Sequence, residues 1–252
     1  MRPKLVRLGT EYGGWWVPLD GQISPSSSCY LIGAGEDISF DVELAKFTGA
    51  FVVIVDPTPR ARHHFESIEK TARDQIREFE RGRSDSDSDT PQTKRRLEFL
   101  SVGVSDSDTI ERFYAPQNPA HVSHSIVNLQ GTTHFFEAKC YTLKSLVTSR
   151  GDGTPTLLKL DIEGAEHRVV RQMINDQFFP PVLLIEFDDG GFRNMLTTGR
   201  RLRRAGYRIA KRENRNVLLL RHFASNGLTT MSRPDAVSGP RQSQTRSLRP
   251  TE

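Results

Sequence analysis

The chain has 252 residues, 36% of them hydrophobic, and its 35 basic and 31 acidic side chains leave a net charge of only +4. This length suits one substantial α/β domain or two small ones, and the charge is too small to indicate nucleic acid as a partner. No apolar run reaches the length of a membrane span, and the N-terminus lacks the apolar core of a secretory signal. Because the two cysteines form no metal-binding or disulfide pattern, we expect a cytoplasmic protein.

The first 28 residues precede the first predicted strand of the domain. An apolar patch around Tyr12, Trp15 and Trp16 lies next to a pair of glycines that favours a turn. We expect residues 1–28 to pack on the flank or rim of the sheet. The alternative is a lid over a ligand site.

A glycine turn comes after the first predicted buried strand, Tyr30-Leu31-Ile32. Gly33 and Gly35 stand between this strand and a predicted helix that has Phe40 among its apolar positions. Glycines at such a turn let the backbone approach a ligand closely, and the helix N-terminus offers free N–H groups. A single GxG pattern is weak evidence, so its meaning depends on the next strand of the chain.

This second buried strand, residues 51–55, ends at Asp56. A carboxylate about 20 residues beyond a glycine turn commonly binds ribose hydroxyls in Rossmann-type folds. Pro57-Thr58-Pro59 ends the strand, and a helix is predicted from Arg60 to Gln75. The strand–turn–helix–strand unit therefore predicts a nucleotide-type ligand.

The middle of the chain contains a polar insert, a third strand and a long connection. Residues 80–96, like residues 224–252, have a composition that predicts disorder. Residues 97–104 are a predicted third strand with Ser105 and Asp106 at its tip. The irregular segment after this strand contains His121 and His124, which either contact substrate or are solvated loop histidines.

The stretch LLKLDIEGAE, residues 157–166, begins as a predicted buried strand and ends in a cluster of acids. Asp161 and Glu163 are expected at the strand tip, where open parallel sheets bind ligands. Buried carboxylates there need a hydroxyl, a cation or another donor as a partner. Glu166 is explained as an acid in the first turn of the next helix, where it suits the helix dipole.

The remaining pattern predicts a doubly wound sheet. A fifth strand at 182–187, a basic helix at 193–205, and a closing hairpin at 207–211 and 217–221 come one after another. Five strands that alternate with helices, together with a final hairpin, indicate an α/β fold with a mainly parallel sheet. The arginines of the basic helix are interpreted as a solvated face.

Three motifs together resemble the FkbM-type methyltransferase family: GAGEDISFD at 33–41, VDPTP at 55–59 and LLKLDIEGAE at 157–166. The similarity extends over roughly residues 5–222. It implies a Rossmann-like class I methyltransferase fold, with a doubly wound seven-stranded sheet and a C-terminal antiparallel hairpin, over residues 29–223. It also implies that S-adenosylmethionine donates a methyl group to an oxygen of a small-molecule or glycan acceptor, such as a sugar or polyketide hydroxyl.

The resemblance further implies which residues contact the cofactor. The glycine turn would lie along the methionine part, Asp56 would hold the ribose, and Ser105 and Asp106 would lie near the adenine. Glu36 stands where many related turns have a third glycine. The complete set of implied cofactor residues is Gly33, Ala34, Gly35, Asp37, Ser39, Phe40, Asp56, Pro57, Thr58, Ser105 and Asp106.

An alcohol acceptor has to lose its proton during methyl transfer, and a carboxylate or imidazole can take it as general base. Asp161 is the first candidate, and Glu163 and His124 come next. Alternatively, Asp161 could bind Mg²⁺ together with Glu186 or Asp188, although we assign no metal.

Two other classes of protein share parts of this sequence pattern. A nicotinamide-dependent oxidoreductase also uses a glycine turn and an acid after the second strand, but it predicts a fuller GxGxxG motif than the one present. A non-catalytic relative would keep the fold as a binding module. The intact glycine turn, Asp56 and Asp161 argue against this second alternative.

Overall fold

The computed structural model describes residues 3–82, 96–115, 131–187 and 191–222. The prediction of disorder over residues 80–96 was wrong at its edges, because Glu80 and Arg81 belong to a helix, Pro59–Arg81, and Arg96 pairs with Glu80 at 3.1 Å. The rest of that segment, residues 83–95, and the predicted tail at 224–252 lie outside the described residues, and so do His121, His124 and Asp188. Within the described ranges, no helix is both long enough and apolar enough to cross a membrane.

Strands and helices alternate through most of the chain. In order they are β1 (Leu5–Leu8), β2 (Trp15–Pro18), β3 (Ser28–Ile32), α1 (Ser39–Thr48), β4 (Phe51–Val55), α2 (Pro59–Arg81), β5 (Leu97–Leu100), β6 (Gly103–Val104), β7 (Thr109–Tyr114), β8 (Phe135–Tyr141), α3 (Leu143–Ser149), β9 (Leu157–Leu160), α4 (Glu166–Asn175), β10 (Val182–Glu186), α5 (Gly191–Arg204), β11 (Tyr207–Glu213) and β12 (Asn216–Arg221).

A seven-stranded sheet in the order β11-β12-β10-β9-β3-β4-β5 forms the centre of the molecule. The five strands from β10 to β5 are parallel, and β12 pairs antiparallel with both β10 and β11. The predicted doubly wound sheet with a C-terminal antiparallel hairpin is therefore confirmed.

Both faces of this sheet are covered, which explains why its strands read as continuous apolar runs. One face packs on α1, α2 and the β1–β2 hairpin, and the other packs on α3, α4 and α5. Successive residues of β9 alternate between the two cores, with Leu157 in the first and Leu158 and Leu160 in the second. Lys159 is therefore on the same side as α1 and the hairpin.

The strand order reverses between β3 and β9. From β3 the chain proceeds outward to β4 and β5, and it then returns to place β9 on the other side of β3. A reversal of this kind opens a crevice at the carboxyl ends of the two strands, where open α/β sheets bind their ligands. Gly33 and Asp161 are the residues that leave β3 and β9 at this position.

The N-terminal residues pack closely on this domain. Trp15 and Val17 are buried in the same core as α1. The backbone N–H of Gly9 donates a hydrogen bond of 2.7 Å to the carboxylate of Glu43 on α1. The division of the chain into a preamble, a domain and a tail stays a prediction.

The third strand is shorter than the sequence pattern predicts. It ends at Leu100, and after a tight turn at Val102 the chain forms β6, which pairs with β8 in a separate three-stranded sheet. Gly103 allows β6 to pack this closely in the small sheet, because any side chain there would collide with Cys140 and Phe113. The prediction of one continuous strand over 97–104 was wrong, since it took two separate apolar runs for one.

Candidate active site

The glycine turn has a closed side and an open side. Gly33 has a φ of 87°, and a Cβ there would overlap the backbone carbonyl oxygen of Asp161. Gly35 has a φ of 55°, but a Cβ there would meet nothing within 4 Å. Gly33 is therefore required by the contact between the ends of β3 and β9, whereas Gly35 faces space that a ligand can enter.

Asp56 lies after β4, next to this turn, and is 5% exposed. One carboxylate oxygen accepts hydrogen bonds from the N–H groups of Ala34 and Gly35, at 2.9 and 3.1 Å. The other accepts bonds from the N–H and the hydroxyl of Thr58, at 2.8 and 2.6 Å. Four donors fill the acceptor capacity of a carboxylate, so Asp56 braces the glycine turn from behind.

The loop after Asp56 is fixed by the same bonds. Thr58 is the N-cap of α2, and its hydroxyl oxygen accepts a bond of 3.2 Å from the N–H of Ala61. Pro57 precedes this cap and Pro59 opens the helix, where proline suits the first turn. Pro57 and Thr58 therefore lie beside the glycine turn and fix the position of Asp56, whereas their contacts with a cofactor stay predictions.

The side chains at the beginning of α1 either form hydrogen bonds with the N-terminal segment or are buried in the core. The Asp37 carboxylate accepts bonds from the N–H of Ser39 and the hydroxyl of Thr10, and the Ser39 hydroxyl accepts the N–H of Thr10. Burial alone would raise the pKa of Asp37, but the hydrogen bonds from Ser39 and Thr10 outweigh it and lower the pKa. Phe40 is 1% exposed in the apolar core. Cofactor contacts of Asp37, Ser39 and Phe40 stay predictions.

Asp161 lies at the tip of β9 and is paired with a residue that the sequence patterns did not single out. Its carboxylate is 2.9 Å from the ammonium of Lys159, and the side chains are 26% and 8% exposed respectively. The same ammonium donates a bond of 2.6 Å to the carbonyl oxygen of Gly33. The signal in the sequence was a lysine within an otherwise apolar strand.

The loop between β9 and α4 is shaped around a buried acid. Glu163 has a φ of 53° and Gly164 a φ of 94°. This conformation directs the N–H groups of Ile162 and Gly164 onto the Glu166 carboxylate, at 3.1 Å each. Glu166 is fully buried. It therefore acts as the anion in a nest of backbone donors, which is more than the favourable helix-dipole position expected from sequence.

Ser105 and Asp106 lie in another part of the fold than predicted. Because the third strand of the central sheet ends at Leu100, these residues come after β6 of the small sheet. The Ser105 hydroxyl donates to Glu111 at 2.9 Å, and Asp106 pairs with Arg171 of α4 at 3.1 Å. The assignment of Ser105 and Asp106 to the adenine loses the strand-tip argument on which it rested, and it stays a prediction.

Among the residues that the structure describes, no group of three or more His, Cys, Asp or Glu side chains could hold a metal ion. The Lys159 ammonium already occupies one oxygen of Asp161. Of the other proposed ligands and bases, Glu186 ends β10, whereas Asp188 and His124 lie outside the described ranges.

Comparison with known proteins identifies one family. A family described as the methyltransferase FkbM domain matches residues 49–209, which is more than half of the chain. No curated protein matches the chain.

Three solved structures are similar at low identity. A precorrin-6y C5,15-methyltransferase from Geobacter metallireducens is 10% identical over 79% of this chain and 82% of that one, with a TM-score of 0.37. The fibrillarin pre-rRNA processing protein of Methanococcus jannaschii is 9% identical over 86% and 80%, with a TM-score of 0.39. The TYW2 protein of M. jannaschii, solved with AdoMet, is 11% identical over 87% and 86%, with a TM-score of 0.33. At these TM-scores the structural likenesses carry no argument.

The two glycines of the turn should respond differently to a methyl group. Gly33→Ala should lower the free energy of unfolding by about 3 kcal/mol or more, because it combines a left-handed backbone with an overlap against Asp161. Gly35→Ala carries only the backbone strain, about 1–2 kcal/mol. Urea unfolding of both variants measures the difference, and equal losses would contradict the distinction between a closed and an open side.

Replacing the buried acid of the nest should cost stability. Glu166→Gln should lower the free energy of unfolding by about 2 kcal/mol, since its amide NH₂ would face backbone donors that now bind a carboxylate. Glu66→Gln is the matched control, because Glu66 forms an exposed helical pair with Arg62 that is worth about 0.5 kcal/mol. Should the two variants melt alike, Glu166 would not hold the loop.

Proposed function

The chain belongs to the FkbM methyltransferase family, and we propose that it takes its methyl group from S-adenosylmethionine bound at the carboxyl ends of β3, β4 and β9. One observation carries this proposal. The glycine turn leaves the sheet where the strand order reverses, it is open at Gly35, and the carboxylates of Asp56 and Asp161 come directly after the two strands that flank β3. This is the position at which open α/β sheets bind nucleotide-type ligands.

The residues at this edge suit such a cofactor. Without a side chain, Gly35 leaves its backbone accessible to the methionine part. The negative charge of Asp161 complements a sulfonium cation. When bound, S-adenosylmethionine supplies a methyl carbon that the sulfonium has already activated, so the protein mainly has to provide proximity and in-line alignment.

Asp56 supports the cofactor site chiefly through the turn. Its carboxylate holds the N–H groups of Ala34 and Gly35, and thereby fixes the backbone path past Gly35. A ribose hydroxyl would have to share or replace one of the four donors that Asp56 already has. The proposed role of Asp56 is therefore to shape the turn, with ribose binding as an additional contact.

The proposed reaction is O-methylation of a hydroxyl group on a sugar or another small-molecule or glycan acceptor. One carboxylate oxygen of Asp161 binds the ammonium of Lys159. The other can accept a hydrogen bond from the hydroxyl group of the methyl acceptor. When the hydroxyl oxygen bonds to the methyl carbon, the bond from that carbon to sulfur would break and S-adenosylhomocysteine would leave, while the hydroxyl proton passes to Asp161 as general base. Glu163, two residues further along the same loop, is proposed to orient the acceptor, and His124 is the alternative base.

The proposed location is the cytoplasm, in keeping with the two cysteines. Cys29 and Cys140 are both free and buried, as expected in a compartment that keeps thiols reduced. Burial raises the pKa of each thiol to about 12, so neither is a reactive thiolate at neutral pH.

Cofactor choice is the first test of this function. Titration calorimetry should show binding of S-adenosylhomocysteine and no binding of NADH to the wild-type chain. Gly35→Ala should weaken the binding at least tenfold, because its methyl group occupies the space at the open side of the turn. Preferential binding of NADH would instead support an oxidoreductase.

The role of Asp161 is tested by turnover. Transfer of labelled methyl from S-adenosylmethionine should be measured with a panel of glycosides and hydroxylated lactones, using the best acceptor at saturation. Asp161→Asn should lower kcat by roughly 10²–10⁴-fold, the usual effect of removing an acid–base group, and change the affinity for S-adenosylhomocysteine less than threefold. Full turnover of this variant would remove Asp161 from the mechanism.

A further inference from the structure

Lys159 is a charged side chain in the interior of the central sheet. Its neighbours in register are Leu31 on β3 and Leu184 on β10, and the residue is only 6% exposed. Taking an ammonium group out of water is costly, and replacing a buried ion pair by apolar side chains is often neutral or stabilising. A wholly apolar group could therefore replace the lysine and its carboxylate together, so stability alone does not require this buried pair. Removing only Lys159 would leave the carboxylates of Asp161 and Asp41 without their cation and would destabilise the fold.

The ammonium joins the two loops that meet at the switch in strand order. It donates to the carbonyl oxygen of Gly33 at 2.6 Å and to the carboxylate of Asp161 at 2.9 Å. The first acceptor belongs to the glycine turn after β3, and the second to the acidic loop after β9. The backbone reinforces this junction, because the N–H of Asp161 donates to the carbonyl oxygen of Ile32 at 3.1 Å.

Two further groups surround the ammonium on the α1 side of the sheet. Its nitrogen lies 5.5 Å from the centre of the Trp15 ring, and Asp41 of α1, itself 3% exposed, adds a second negative charge nearby. Burial alone would lower the pKa of Lys159, but the attraction of Asp161 and Asp41 outweighs it and raises the pKa. The side chain is thus a permanent cation at neutral pH.

We propose that Lys159 is a positioning residue of the methyl-transfer site. By holding the Gly33 carbonyl and the Asp161 carboxylate at one point, it sets the distance between the cofactor-binding turn and the group that faces the acceptor. It acts through Gly33 and Asp161 and does not itself touch substrate. This inference rests on the proposed function, since it assigns Lys159 a part in that same site.

Positioning through two acceptors predicts a particular combination of effects. Lys159→Met removes both contacts at nearly constant volume, so it should weaken S-adenosylhomocysteine about tenfold and lower kcat about 10²-fold. Asp161→Asn should lower kcat alone. Lys159→Arg keeps the charge but not the compact ammonium, and should recover part of both losses.

Lys211→Met is the matched control for contacts with the N-terminal hairpin. The Lys211 ammonium lies 4.7 Å from the centre of the Trp16 ring, as Lys159 lies over Trp15, but Lys211 is on β11 and not beside the glycine turn. Its loss should leave S-adenosylhomocysteine binding unchanged. Equal weakening by Lys211→Met and Lys159→Met would show that the effect passes through the hairpin, and would overturn the proposal.

The experiment uses the full chain, with calorimetry for S-adenosylhomocysteine, the labelled-methyl assay for kcat, and thermal melts of every variant. If the wild-type chain binds S-adenosylhomocysteine and Lys159→Met binds it with an affinity within twofold of wild type, the positioning role is overturned and the proposed function stays intact. Absence of wild-type binding would overturn both. If Lys159→Met does not fold, Lys159→Arg decides: about threefold weaker binding with a wild-type melt supports the role, and wild-type affinity overturns it.

Discussion

The close contact between the ends of β3 and β9 is the constraint on which the site depends. The strand order of the sheet reverses between these neighbouring parallel strands. The first loop residues after them, Gly33 and Asp161, are in backbone contact. Only glycine fits on one side of this contact. The fold thereby brings a ligand-accessible turn and an acidic loop together through a backbone contact, which the Lys159 side chain reinforces.

Buried charges then fix the two loops in shape. Asp56 holds the N–H groups of the glycine turn, Glu166 holds the N–H groups of the acidic loop, and Lys159 connects the two loops. Each charge is compensated by backbone groups or by an opposite charge, as burial requires. An arrangement of this kind is already organised before a ligand arrives, which is what in-line methyl transfer needs from a protein.

Sequence patterns predicted the features that depend on local order. The apolar runs of β3, β4 and β9 are clear in the sequence, and the ends of parallel strands share one edge, so Gly33, Asp56 and Asp161 were correctly expected at that edge. Features that depend on three-dimensional contacts could not be predicted. The sequence shows neither that Asp56 faces the turn, nor that Glu166 fills a nest, nor that the chain leaves the sheet after Leu100.

The central claim is that the methyl donor binds at the junction of β3 and β9. A crystal structure of the full chain with S-adenosylhomocysteine tests it most directly. The account predicts that the ligand's methionine part lies against Gly35 and that its sulfur faces Asp161, with the bonds from Lys159 to Gly33 and Asp161 intact. A ligand bound elsewhere on the molecule, or one held at this edge with Lys159 turned away from Asp161, would contradict it.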